Sequence, residues 1–164
     1  MVYNEENTLK ERRAMSHHAH HNHQDAYQHV VSHLKEKGIR ITESRKAVIR
    51  QLITSPDHPS AEMIYKELRP NFPTMSLATV YNNLRVLVEE GFVAELKRNN
   101  DTTTYYDFMG HDHLNIICER CGKITDLIAE DIPSLEQQVQ EQTGYHITKE
   151  LLTIYGICPS CQTK

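Results

Sequence analysis

The stretch His111-Asp112-His113-Leu114-Asn115-Ile116-Ile117-Cys118-Glu119-Arg120-Cys121-Gly122-Lys123-Ile124-Thr125-Asp126 packs potential metal ligands of two chemical kinds into one short hairpin. Cys118 and Cys121 form a C-x-x-C, and Cys158-Pro159-Ser160-Cys161 forms a second, so all 4 cysteines sit in two matched knuckles. Two intervening residues let both sulfurs of a knuckle converge on one ion, and Gly122 suits the tight turn this requires. Four thiolates make a closed tetrahedral site, and zinc is the metal such a site usually holds. A thioredoxin-like redox pair and paired disulfides are the competing readings. The shared zinc site is preferred because the pairs come as a set and no βαβ unit precedes either one.

Around the knuckles the pattern predicts strands at about His113 to Ile117, Lys123 to Ile128 and Tyr145 to Tyr155, with a helix from Pro133 to about Gln142. A three-stranded sheet with one helix is small and leaves an edge exposed, so a second copy of the chain is the expected partner.

Toward the N-terminus, Ser76 is placed to cap a helix from Leu77 to about Glu90, with Gly91 past its end. Leu77, Val80, Leu84, Leu87 and Val88 form its inward stripe, leaving Ala78, Thr79, Asn82 and Arg85 on the opposite side with Tyr81 flanking them. Small, amide and guanidinium groups are those that read base edges in a major groove. Packing into the core is the competing role for Tyr81. Upstream, Thr42 caps a helix from Glu43 to about Thr54, and Ser60 caps a short one ending near Arg69-Pro70. Asp25 is the expected cap of a first helix running to about Lys37 and stopped by Gly38, with Ala26, Tyr27, Val30, Val31 and Leu34 on one arc. His29 and His33 lie one turn apart at the edge of that arc, a spacing open either to a shared metal or to solvated surface histidines.

Three helices, then Phe92 to Lys97 and Thr103 to Asp107 flanking an Asn99-Asn100-Asp101 turn, spell a winged helix-turn-helix. The fold class is therefore α+β. Residues 1–24 read as a His-rich arm, 25–102 as a winged-helix DNA-binding domain, and 103–164 as a small α/β dimerisation domain with the four-cysteine zinc site. The arm carries His17, His18, His20, His21 and His23, interrupted by Ala19 and Asn22, which suits an expression tag or a native metal-capturing segment.

The net charge of -4 is spread unevenly: +3 over residues 35–98, -6 over 99–164 and -1 over 1–34. A mildly basic half joined to an acidic one fits a DNA-facing module beside a metal-collecting one. No apolar run approaches the length of a membrane span, and a polar N-terminus gives no secretory signal, so the chain reads as soluble and cytoplasmic, with its thiols reduced.

Several segments together resemble the ferric uptake regulator family, most of all its peroxide-responsive repressors. They are Gly38-Ile39-Arg40-Ile41-Thr42, His58-Pro59-Ser60-Ala61-Glu62, Ser76-Leu77-Ala78-Thr79-Val80-Tyr81-Asn82-Asn83-Leu84, Tyr106-Asp107-Phe108, Cys118-Glu119-Arg120-Cys121-Gly122-Lys123 and Tyr155-Gly156-Ile157-Cys158. The resemblance implies structural Zn2+ at Cys118, Cys121, Cys158 and Cys161. It also implies regulatory Fe2+ or Mn2+ near the domain junction, held by His58 from the DNA-binding half and by Asp107, His113 and Asp126 from the other side. Where relatives commonly supply another histidine this chain has Asn115, a poorer ligand. His20 and His33 are the favoured replacements, with His111 the nearer but less favoured one.

The implied function is a homodimeric, metal-dependent repressor that binds an inverted-repeat operator in double-stranded DNA through Ser76, Ala78, Thr79, Tyr81, Asn82 and Arg85. Iron-catalysed oxidation of His58 or His113 by peroxide then releases the DNA. An iron- or zinc-uptake repressor of the same family is the alternative. An enzyme is disfavoured because a four-thiolate site has no open position, and no H-E-x-x-H, nucleophile elbow or Gly-rich phosphate loop is present. A metal-storage role for the histidine arm leaves the Thr79, Asn82 and Arg85 face without a purpose.

Overall fold

The computed structural model describes residues 23–98, 101–110, 114–127, 135–147 and 152–163, with side chains from 138 onward in the helix that begins at Leu135. Residues 23–36 form α1. It is followed by α2 (Glu43–Thr54), α3 (Ala61–Leu68), α4 (Leu77–Glu89), β1 (Val93–Lys97) and β2 (Thr104–Phe108). Then come β3 (Leu114–Cys118), β4 (Ile124–Leu127), α5 (Leu135–Thr143), β5 (Thr153–Gly156) and α6 (Pro159–Gln162). The chain divides into two compact units, one running to Glu95 and taking in Tyr105–Gly110, the other comprising Leu96–Thr104 and the chain from His111.

In the first unit the caps fall where the hydroxyls predict. Thr42 Oγ1 accepts the Arg45 N–H at 3.2 Å, Ser60 Oγ accepts that of Met63 at 3.3 Å, and Ser76 Oγ accepts that of Thr79 at 3.1 Å. Each satisfies a donor that the first helical turn leaves open. Asp25 does not cap α1, because residues 23 and 24 are already helical. The helix ends as expected at Gly38, whose φ of +73° lets the Ile39 N–H turn back to the Leu34 carbonyl at 2.8 Å.

The core of this unit is built from one apolar face of each helix: Val30 and Leu34 of α1, Val48 and Ile49 of α2, Ile64 of α3, and Val80, Leu84 and Leu87 of α4. Val93 and Tyr106 of the β1–β2 ribbon join it, and each fully buried aliphatic side chain contributes roughly 1.5–3 kcal/mol. Two members of the expected α4 stripe, Leu77 and Val88, are only half-buried, whereas Asn83 is buried. Asn83 is tolerated there because its Nδ2 donates to the Thr79 carbonyl at 2.9 Å and its Oδ1 accepts from Arg45 Nε at 3.0 Å.

The second unit is a three-stranded sheet of order β4-β3-β5, in which β3 is antiparallel to β4 and parallel to β5. β4 carries the chain back along β3, and the connection that then passes from one edge of the sheet to β5 on the other contains α5. The expected strand from Tyr145 to Tyr155 is correct only at its end: residues 144–147 carry no strand, residues 148–151 lie outside the described residues, and β5 is Thr153–Gly156. The four-residue α6 has no counterpart in the sequence reading.

Candidate metal centre and nucleic-acid interface

The parallel register brings the two cysteine knuckles together. Cys118 is the Cα partner of Gly156, so the chain leaving β5 delivers Cys158 beside it, and the Cys158 N–H points to Cys118 Sγ at 3.3 Å. Cys121 follows in the β3–β4 turn, where the Gly122 N–H bonds the Cys118 carbonyl at 2.8 Å and Gly122 adopts a φ of +71°. A side chain at Gly122 would meet that backbone strain and the Arg98 Cδ 3.0 Å from its Cβ. Cys158 precedes α6 with Pro159 at its first position, and the first turn presents Cys161, whose N–H bonds the Cys158 carbonyl at 2.8 Å.

The four sulfurs lie within 4.8 Å of one another and form no disulfide. With a Zn–S distance of about 2.3 Å, a regular tetrahedron has S–S edges of about 3.8 Å. Cys121 and Cys158 Sγ are 3.7 Å apart, as that geometry asks. The Cys158 and Cys121 N–H groups pull the Cys118 thiol down to about 6, while its bond with Cys158 first, and burial next, push Cys161 up to about 12. Crowded thiols cannot all ionise side by side without a cation, and a divalent ion removes that conflict. The residues present therefore fit a closed structural zinc site. They are the only group of three or more potential ligands this close among the described residues.

His58 and Asp107 form a second, hard-donor pair. Ser60 bridges Tyr105 in antiparallel register and the Tyr106 N–H bonds the Pro59 carbonyl at 3.0 Å, so two residues out His58 faces Asp107. His58 Nε2 lies 3.3 Å from Asp107 Oδ1, with the side chains only 8% and 5% exposed. Asp107 thus belongs to the same compact unit as His58, not to the other side as expected.

Of the other expected ligands, Asp126 and His33 fall within the described residues. Asp126 is exposed on β4 and is the Cα partner of buried Asn115, so the two share one face of the sheet. His113, His111 and His20 lie outside the described residues. His33 Nε2 is 2.9 Å from Glu90 Oε2, and the rings of His29 and His33 stand edge-on to Phe92 at 5.7 and 5.0 Å. These two histidines dock α1 against Phe92 and the end of α4.

On α4, Ser76, Ala78, Tyr81, Asn82 and Arg85 are exposed and Thr79 is half-exposed, which leaves the expected face open to a partner. Arg85 Nε is 3.9 Å from Glu89 Oε1, an exposed pair that holds the guanidinium only weakly. Reading the sequence alone passes over Glu62, whose Oε1 accepts the Tyr81 hydroxyl at 2.6 Å, because nothing local links residues 19 apart on different helices. It passes over Arg45 as well, although a lone amide, Asn83, beside the apolar stripe is a usable signal for its partner. Arg45 Nη1 donates to the Arg40 carbonyl.

A helix-turn-helix with a β-wing, followed in the chain by a four-thiol metal knuckle, defines a DNA-binding protein of the metal-responsive kind. The ferric uptake regulator family profile matches residues 36–155, and the chain belongs to that family of transcription regulators. It is similar to the peroxide-responsive repressor PerR of Staphylococcus aureus, 44% identical over 134 residues that cover 82% of this chain and 90% of the repressor. A structure of PerR from Streptococcus pyogenes, described in terms of peroxide sensing and gene regulation, is 60% identical and covers 84% of this chain and 93% of that one, with a TM-score of 0.52. The Campylobacter jejuni peroxide stress regulator is 28% identical, covers 82% of this chain and 97% of that one, and has a TM-score of 0.65. Among the described residues no helix is long and apolar enough to cross a membrane.

Proposed function

We propose that this chain is a homodimeric, metal-dependent repressor that releases its operator when hydrogen peroxide oxidises the regulatory metal site. The observation that carries the reading is the buried His58–Asp107 pair, a nitrogen and an oxygen donor held in register within the same unit as the exposed α4 face. His58, Asp107, His113 and Asp126 would hold Fe(II) or Mn(II), and all four thiols are committed elsewhere, so the donor set is hard. His20 and His33 would take the place of the ligand that Asn115 does not supply, with His33 giving up Glu90 to do so. Binding favours the DNA-competent arrangement only as far as that arrangement binds the ion more tightly. Iron, when bound, supplies the redox chemistry that Mn(II) does not: an imidazole, His58 or His113, takes up one oxygen atom of the peroxide and the other leaves as water. The altered ring is a poorer donor, and the operator is released.

Support for the dimer comes from the second unit, where Leu127, Ile154, Tyr155 and Ile157 are exposed large apolar residues. Such a surface on so small a sheet calls for a partner, and two copies would set two α4 helices on an inverted repeat.

The test is a gel shift on an inverted-repeat duplex with Mn(II) or Fe(II), with and without peroxide, followed by mass spectrometry of His58 and His113. Peroxide should release only the iron-loaded protein, with one oxygen gained on either ring. Metal-dependent binding that ignores peroxide would move the chain to the uptake repressors. Unchanged metal dependence after deletion of residues 1–24 and mutation of His33 would remove both from the ligand set.

A further inference from the structure

Ser60 serves two neighbours at once. Its backbone bridges Tyr105 beside the His58–Asp107 pair, and its hydroxyl donates to Glu62 Oε2 at 2.9 Å. The other oxygen of the same carboxylate, Oε1, accepts the Tyr81 hydroxyl at 2.6 Å. Tyr81 is 43% exposed on α4 and stands next to Asn82, on the face proposed to read DNA.

An acidic group beside a face meant for a polyanion is a liability unless it does something there. Glu62 lies in the first turn of α3, where the helix end favours a negative charge, and both of its oxygens are engaged by hydroxyls. A short bond to an anion is directional and strong, so it removes most of the rotational freedom of an otherwise exposed phenol ring. The ring then meets DNA already oriented, and less ordering cost falls on binding.

Resting on the repressor reading above, we propose that Glu62 is a positioning residue for operator recognition: it fixes the Tyr81 ring and, through Ser60, makes that orientation depend on the segment that carries His58. The chain of contacts is continuous within one unit: His58 to Ser60 along the backbone, Ser60 to Glu62, Glu62 to Tyr81. A displacement of His58 has a short path to the DNA-reading face.

The experiment uses the full chain with its zinc, and a duplex selected by the wild-type protein from randomised inverted repeats in Mn(II), beside a scrambled duplex. Charge alone makes Glu62→Ala bind both duplexes more tightly, since a negative group has been removed. Positioning instead makes Glu62→Ala and Tyr81→Phe each bind the selected duplex roughly two- to tenfold more weakly, as loss of one hydrogen bond gives. The double variant should be no worse than the weaker single one, and Glu62→Gln, whose amide oxygen still accepts the phenol, should recover most of the loss. Tyr81→Phe leaves α3 untouched, so the result does not depend on how Glu62→Ala folds. Tighter binding of Glu62→Ala to both duplexes, or losses that multiply in the double variant, would overturn the proposal. So would an affinity gain on adding Mn(II) as large in Glu62→Ala as in the wild type. A wild-type chain that selects no duplex in Mn(II) would sink the repressor reading itself, and the inference with it.

Discussion

His58 and Asp107 stand opposite each other because of strand register, not because the sequence places them close: one bridge at Ser60 and Tyr105 fixes the pairing, and 3.3 Å separates His58 Nε2 from Asp107 Oδ1. A donor pair buried in this way is pre-organised, so binding an ion costs little further ordering. Asp107→Asn keeps the shape and removes the charge. It should lower Mn(II) affinity by more than the roughly 10- to 100-fold typical of losing an outer-shell partner. Isothermal titration with Mn(II), alongside a zinc assay showing the thiol site still filled, is the check. Equal Mn(II) affinity would remove Asp107 from the ligand set.

Cys121 sits in the knuckle that joins β3 to β4, so Cys121→Ser should unfold the second unit and not merely weaken a site. Structural zinc contributes about 10–16 kcal/mol in small peptides, more than such a sheet can supply by burial. Hydrogen exchange at residues 114–127 should become fast in the variant while residues 43–93 stay protected. Retained protection at 114–127 would mean the sheet stands without its metal.

Much of this is legible in the sequence. The three caps, the Gly38 stop and the Val80, Leu84 and Leu87 part of the inward stripe of α4 follow from hydroxyls, a glycine and a 3.6-residue period, all of which are local signals. The meeting of the two knuckles is readable from spacing, although the reason for it, the β3–β5 register, is not. What stays hidden is non-local. Asp107 reads as belonging to the other side, and does not, because the segment Tyr105–Gly110 returns to pack with the first unit. Glu62 and Arg45 make their bonds to α4 across helix interfaces that no period announces.

The Tyr81–Glu62 bond also gives a pH signature. The Glu62 acceptor raises the Tyr81 phenol from its usual 10 to about 12, and the Tyr81 donor holds Glu62 below its ordinary value. A raised phenol contributes stability that is complete below 10 and is lost as pH climbs through 12; a depressed carboxyl contributes above its ordinary value and is lost as pH falls through the lowered one. The bond should therefore be intact across the neutral range. In an ultraviolet tyrosinate titration of the protein's 8 tyrosines, Glu62→Ala should move one midpoint down toward 10. No change in the high-pH limb would show that the bond is not kept in solution.

Ser76 and Arg85 separate structure from reading on the same helix. Ser76→Ala removes the α4 cap and should cost about 0.5–2 kcal/mol of stability. Arg85 is exposed and only weakly paired, so Arg85→Ala should leave stability within about 0.5 kcal/mol. Its effect should appear on DNA, as a loss of about 1–3 kcal/mol on the selected duplex if the guanidinium reaches a guanine. Thermal melts and anisotropy on both proteins distinguish the two roles. An Arg85→Ala loss shared equally by scrambled DNA would assign the side chain to phosphate instead.

Asn115 offers the reverse experiment, a gain of function. It is buried at 5% exposure and paired across the strands with Asp126, so a side chain there shares a face with a proposed ligand. Asn115→His replaces a weak neutral amide with imidazole, a far better donor to Mn(II) or Fe(II). The larger ring in a buried position should cost about 1–3 kcal/mol of apo stability. Metal affinity should nonetheless rise, and the stabilisation by saturating Mn(II) should exceed that of the wild type. With a ligand restored on β3, His33→Ala should no longer weaken Mn(II)-dependent operator binding. If Asn115→His binds Mn(II) no better, the sheet face of Asn115 and Asp126 does not look toward the regulatory metal, and the ligand set has to be redrawn around His58 and Asp107 alone.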